Sequence, residues 1–303
     1  MATLTRSDAG YVSDETVSVF AFDQFTMATP RMPTLFNQQG SSTYREVNAS
    51  MSGLGDFQPK TELEGPTEDK PVQQFKQEYL HQEYALGVVV ERKVYDDQRF
   101  SFFQKLGAKI GQSAMRTFET YGAKVFNEAF SSSTYLAEDG LSLCNAAHVN
   151  VDSGNSQSNT GTSALSYDNV GTTMTSMQLY KDYRGNPILV DPDLLLVPVS
   201  KEQTAFEIVR SSGDPTEANL KANYFNGRLA ALTWRYLDVS DDDNWFLIDR
   251  MLMAENLYWY WRVALEIFGD GDAWKGLRRI GGYFRSSHKA VGWWWVYGHN
   301  AST

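Results

Sequence analysis

Between Asp97 and Phe130, apolar or small residues recur in steps of three and four, at Phe100, Phe103, Gly107, Ile110, Ala114, Phe118, Tyr121, Val125 and Ala129. Leu106, Met115 and Phe126 widen this stripe, while Arg99, Gln104, Lys105, Lys109, Gln112, Arg116, Glu119, Lys124 and Glu128 lie outside it. The spacing predicts a helix with one buried side. At 1.5 Å per residue it would run about 50 Å, against a usual length of about three turns. Asp96 and Asp97 suit its positive end, as a cap or as first-turn charge. Gly107, Gly111 and Gly122 each cost about 1 kcal/mol against alanine inside a helix. They make sense if something, most simply a sheet, packs closely across it. A one-sided beam of this length obliges the rest of the chain to supply a long cover.

That cover is legible near the C-terminus. In Leu257–Phe268 the odd positions Leu257, Trp259, Trp261, Val263, Leu265 and Ile267 are all apolar, and the even positions are mixed. Period two over this stretch predicts a long strand with one apolar face. Gly292-Trp-Trp-Trp-Val-Tyr-Gly298 reads as a further aromatic strand.

The 303 residues suffice for one large or two modest domains. There is no apolar run of transmembrane length and no apolar segment of a secretory signal near Met1–Tyr11, which predicts a cytoplasmic product. The single cysteine, Cys144, excludes an intrachain disulfide. A net charge of −10 argues against a protein that grips nucleic acid by releasing counterions. It suits a surface that sits beside nucleic acid without adhering, and equally plain solubility.

Residues 1–46 show no sustained period and read as an extended arm with docking residues such as Val17, Phe20, Phe22, Leu35 and Phe36. From Val47 to His81 the chain is rich in turns and charge, with Gly53, Gly55, Pro59, Gly65, Pro66 and Pro71. That is too long for an ordinary connection. Weak alternation at Val72, Phe75 and Tyr79, and again at Tyr84, Leu86, Val88 and Val90, predicts long strands joined by a tip.

After the helix and a polar loop at 152–163, a second unit begins. Ser166 can cap a helix carrying Val170, Met174 and Met177, ending near Arg184-Gly-Asn-Pro187. Ile188–Val190 and Leu194–Val199 read as strands. Ser200-Lys-Glu-Gln203 fits a capping box before a helix with Ala205, Ile208 and Val209 on its face. Ala231–Val239 and Trp245–Ile248 complete an α/β or α+β unit.

Chemistry is sparse. His81, His148, His288 and His299 lack metal-ligand spacing. Cys144 and His148 could in principle be nucleophile and base of a hydrolase, although a buried thiol beside a loop histidine is the simpler reading. Asp238–Asp243 and Asp270-Gly-Asp272 read as solvated turns, since neither matches a calcium loop. The tryptophans near the C-terminus could stack on sugars, but a buried strand explains them more simply. No catalytic, cofactor-binding or metal-binding residue is singled out. An arm, a long projecting loop, a beam and a separate unit are features of use in an assembly.

In order and spacing these features resemble the major capsid proteins of tailed bacteriophages, with the Hong Kong 97-type fold, and among them the Mu-like major head subunits. The resemblance is carried by Glu91-Arg-Lys-Val-Tyr-Asp-Asp97 leading into the helix, then Asp139-Gly-Leu-Ser-Leu143 and Ala147-His148. Gly-Asn-Pro187, Asp-Pro192, Leu194-Leu-Leu-Val-Pro198, Trp245-Phe-Leu247 and Trp294-Trp-Val-Tyr297 continue it. It implies an α+β chain divided into an N-terminal arm (1–46), an extended loop (47–82), a peripheral domain (83–164) with its spine helix at 97–130, an axial domain (165–254) and the rest of the peripheral domain (255–303). The implied function is self-assembly, as pentamers and hexamers, into an icosahedral head enclosing double-stranded DNA, built in the host cytoplasm. Implied partners are further copies of the chain and separate scaffolding, portal and decoration proteins, with only loose contact to DNA and none to membrane. Some relatives cross-link a loop lysine to a neighbour, but no motif selects among Lys60, Lys70 and Lys76. Some lose a helical N-terminal segment, which residues 1–46 do not resemble, so no large cleavage is expected. An encapsulin-type nanocompartment shell is the alternative on the same fold.

Overall fold

The computed structural model of the chain describes residues 30–91 and 100–301, apart from 52, 61, 63–64, 72, 132, 150–155, 183, 214–221, 238–241, 273 and 275. Its elements begin with α1 (Met32–Leu35), β1 (Asn37–Gly40), β2 (Arg45–Met51), β3 (Gln73–Leu80), β4 (Gln82–Glu91) and the long helix α2 (Phe100–Asn127). Short strands β5 (His148–Val149), β6 (Ser156–Gln157) and β7 (Thr160–Gly161) lead to α3 (Tyr167–Gln178), β8 (Leu194–Val197) and α4 (Glu202–Arg210). Then come β9 (Ala230–Thr233), β10 (Trp245–Ile248), α5 (Arg250–Asn256), β11 (Leu257–Asp272), β12 (Leu277–Ala290) and β13 (Val296–His299).

Helix α2 has 28 residues, about 42 Å at the standard rise. The Asp96–Asp97 cap and most of the arm fall outside the described residues. Strand β11 covers the helix as its odd face predicts, and runs on to Asp272 as one limb of a hairpin with β12. The sheet order is β1-β11-β12-β4, so β4 is an edge strand and pairs with β12, not with the first alternating run. Phe118 welds helix to sheet, its ring 4.4 Å from Phe284, 4.9 Å from Trp261 and 6.2 Å from Trp259. Farther along, Ile110 and Leu106 pack on Ile280 and Ile267.

The helix glycines do not all behave as expected. Gly107 and Gly111 are buried. A Cβ on Gly122 would meet Met32 at 3.1 Å and both Phe36 and Trp234 at 3.4 Å, so its close neighbours are α1 and a loop tryptophan, not the sheet. Glu119, read as outside the stripe, is also buried. Its carboxylate accepts the Met32 backbone N–H at 2.9 Å and the Trp234 indole N–H at 2.6 Å.

Those contacts correct the picture of the arm. Met32, Leu35 and Phe36 are buried, and β1 pairs in parallel with β11. Lacking enough apolar residues for a core of their own, residues 32–40 join the core of the body.

The second sheet has order β7-β13-β10-β8-β9, and its inner strands are buried on both faces. Leu194, Leu196, Phe246 and Ile248 point into a core shared with the C-terminal half of α2. Leu195, Val197, Trp245 and Leu247 point into a core shared with α3 and α4. That is why these strands read as unbroken apolar runs rather than alternating ones. β13 lies between β7 and β10, so the segment 255–303 divides, its last strand entering the sheet built mainly from 160–248.

Several local expectations change. Residues 293–295 form a turn, and only Val296–His299 is strand. Ile188–Val190 is not a strand, and α3 stops at Gln178, well before Gly185. Ser166 does cap α3, its hydroxyl accepting from the Asn169 N–H at 3.3 Å. Ser200 does not cap α4: it lies in the 3-10 turn Val199–Lys201 and donates to the Asp242 carbonyl instead. Ala231–Val239 splits into β9 and the 3-10 turn Arg235–Leu237.

Candidate functional site

The candidate contact surface is the hairpin of β2 and β3 with the loop between them. The strands pair antiparallel from Arg45↔Leu80 to Met51↔Gln73. At its base the hairpin is seated on the body. Tyr79 is fully buried against Tyr260, ring centroids 5.0 Å apart, and Gln77 donates to the Leu136 carbonyl at 2.7 Å. Asn48 and the Tyr260 hydroxyl lie 3.1 Å apart. Tyr44 and Val47 at the base are exposed, and so are Met51, Leu54 and Phe57 beyond it, Phe57 completely. Large apolar side chains held away from their own core mark a contact surface.

His81 sits at the hinge between β3 and β4. Its Nε2 lies 3.0 Å from the Ser41 hydroxyl and its Nδ1 2.9 Å from the Ser287 hydroxyl, tying both roots of the hairpin to β12. Ser41 also donates to Glu46 at 2.5 Å. Hydrogen bonds from Ser41 and Thr43 hold the Glu46 carboxyl below its ordinary range, while burial, then Arg285, lowers His81 despite Glu46. The sequence offered no signal for this hinge, because its members lie on three separate segments.

The residues weighed for catalysis are placed as structural groups. Cys144 is buried, and burial pushes its thiol far above the ordinary range. His148 directs Nδ1 to Asp139 at 2.5 Å and Nε2 to Asn159 at 3.1 Å, so neither nitrogen is left to act as a base on the thiol. Trp293 and Trp295 are buried, so they offer no sugar platform. Among the described residues no group of three His, Cys, Asp or Glu could hold a metal ion, and no helix is long and apolar enough to cross a membrane. The turn at Asp238–Asp243 lies largely outside the described residues.

Two of the histidines make stability depend on pH. Burial pushes His288 down to about 3 and His299 down to about 4, from an ordinary 6.5. The geometry agrees for His299, whose Nδ1 accepts the Ser163 backbone N–H at 3.2 Å while the ring stacks on Trp245. Between pH 6.5 and 4 the unfolded chain takes up protons that the fold refuses, so stability should be full above about pH 6.5 and fall as pH drops toward 4. Thermal melts across that window should show it, and His299→Gln should flatten the slope.

A body with two main cores thus carries an outward hairpin with exposed apolar residues. A family profile described as phage capsid protein matches residues 75–293, and the chain belongs to that family. Solved structures share the fold at low identity. A chain from a structure of Microbacterium phage Oxtober96 is 11% identical with a TM-score of 0.53, covering 99% of this chain and all of that one. The mature capsid of bacteriophage PhiM1 gives 8% identity and 0.59, covering 91% of this chain and 88% of that one. The capsid of bacteriophage JBD30, decorated with minor capsid protein trimers, gives 13% and 0.54, covering 69% and 91%. No curated protein matches significantly.

Proposed function

We propose that the chain is the major subunit of a tailed-phage head, assembling as pentamers and hexamers into an icosahedral shell around double-stranded DNA in the host cytoplasm. Membership of the phage capsid family supports this, and so does the hairpin. Leu54 and Phe57 stand in solvent on a loop whose described residues join neither core. In a monomer that is a liability; in a shell it is how one tile grips the next. On this reading β8, β10 and the helices around them lie toward the capsomer axis, and α2 with the β11–β12 hairpin braces the periphery. The negative net charge suits an inner surface that leaves packaged DNA mobile. Separate scaffolding and portal proteins would complete the head, and the trimers on the JBD30 capsid support a decoration protein as a further partner.

Purified protein should form closed shells visible by electron microscopy. Removing residues 54–70 and closing the gap with a short linker keeps both strands. It should leave the helical circular dichroism and melting temperature nearly unchanged while abolishing closed shells. A truncated chain that unfolds would place the loop in the core and overturn the assignment.

A further inference from the structure

Both limbs of the loop between β2 and β3 return to one point on the body, the turn at residues 182–187. Arg184 donates from Nη1 to the Gly53 carbonyl at 3.0 Å and to Asp69 Oδ2 at 2.6 Å, and from Nη2 to Asp69 Oδ1 at 3.1 Å. Asp69 Oδ2 also accepts the Gly55 backbone N–H at 2.7 Å. One guanidinium and one carboxylate therefore join the outgoing limb, the returning limb and the turn. The two-pronged geometry is the most directional available to an arginine. Arg184 also holds the Asp69 carboxyl well below the usual carboxylate range.

A second observation is independent of charge. A Cβ on Gly53 would lie 2.5 Å from Oδ2 of Asp182. That carboxylate cannot easily yield, because it accepts the N–H groups of Arg184 at 2.9 Å and Asn186 at 2.8 Å and the Asn186 side-chain amide at 3.1 Å. The loop approaches the turn so closely that only glycine fits. Past this tie the tip runs out into solvent with Phe57 wholly exposed, while Leu54, between the tied glycines, is 62% exposed.

We propose that Arg184 and Asp69, with Gly53, form an intrachain latch that fixes the loop against the chain's own turn and so presents Leu54 and Phe57 to a second copy in one orientation. The proposal rests on the capsid reading above. A loop of this length left untethered would have to be ordered each time a neighbour engaged it, which opposes docking. The latch orders the loop beforehand, and it does so without covering the apolar residues that dock. A contact that withheld the loop would have buried them.

The test uses four variants of the full chain: Arg184→Glu, Asp69→Arg, the charge-exchanged double variant, and Gly53→Val. Hydrogen exchange on unassembled subunits reads the latch through the Gly55 amide, and light scattering with electron microscopy reads assembly. Each single variant should keep its melting temperature, lose protection at Gly55 and assemble roughly tenfold more slowly. The double variant should recover both protection and rate, and Gly53→Val should behave like the charge variants although it changes no charge. Wild-type shells together with single variants that assemble at the wild-type rate would overturn the latch alone. Faster assembly would also overturn it, by showing that the contact restrains the loop. A wild-type chain that forms no shells would overturn the capsid reading, and with it the latch's role.

Discussion

Replacing Phe118 by alanine should lower the stability of the subunit by about 3–5 kcal/mol and its melting temperature by on the order of ten degrees. Phe118 is fully buried where the long helix crosses the sheet, touching rings from both central strands: Trp259 and Trp261 on β11, and Phe284 on β12. Removing it opens a cavity that the surrounding rings cannot fill without tilting the helix on the sheet. The informative control is Phe57→Ala. Phe57 has the same side chain wholly exposed, and its loss should change stability by less than about 0.5 kcal/mol while reducing shell yield. One phenylalanine should matter to the fold of the subunit and the other only to contact between subunits. Guanidinium titrations for stability, beside micrographs for assembly, separate the two. Equal loss of stability in both variants would dissolve the distinction between body and contact surface on which the functional reading stands.

What could be read beforehand divides along a physical line. Helix α2 and strand β11 announced themselves because each buries one face along its whole length, and a single repeated face leaves a period in the sequence. The paired inner strands Leu194–Val197 and Trp245–Ile248 were visible for the opposite reason: both faces are buried, so every residue is apolar. Features that depend on long-range partners left no such trace. Glu119 looked like a solvent residue because nothing local reveals that Met32 and Trp234 bring it donors from 87 and 115 positions away. Ser200 matched a capping pattern, but its hydroxyl found the Asp242 carbonyl, and a tertiary partner outweighed the local motif. The run Trp293–Trp295 was aromatic enough for a strand, but the chain turns there, and the Trp295 indole N–H reaches back to the Gly292 carbonyl at 2.7 Å. The contact surface was half legible. Its length and turn chemistry showed in sequence, while its hinge at Ser41, His81 and Ser287 and its tie to Arg184 exist only once the chain has folded.

The stretch Asp139-Gly-Leu-Ser-Leu143 followed by His148 carried much of the family resemblance, and the structure gives each position a task. Asp139 Oδ1 accepts the Leu141 N–H at 3.1 Å, Gly140 takes φ 78°, and Leu143 is fully buried. Asp139 Oδ2 meets His148 at 2.5 Å, where the carboxylate is only 4% exposed and the imidazole not at all. On its other side His148 meets Oδ1 of Asn159, and the amide of Asn159 donates to the carbonyls of Leu143, Trp293 and Val296. The ring also stacks on Trp293 with centroids 4.5 Å apart. The pair thus fastens the segment after the spine helix to the last turn and strand of the chain. Removing one member strands the other in the core, so His148→Ala and Asp139→Ala should each cost about 3–5 kcal/mol. Because the penalty comes from the abandoned partner, losing both should cost little more than losing one, with a coupling of about 1–3 kcal/mol. A double-mutant cycle by denaturant titration measures this directly. Simple additivity of the two losses would show that the residues act separately, and that the motif is a pair of unrelated packing positions rather than one joint.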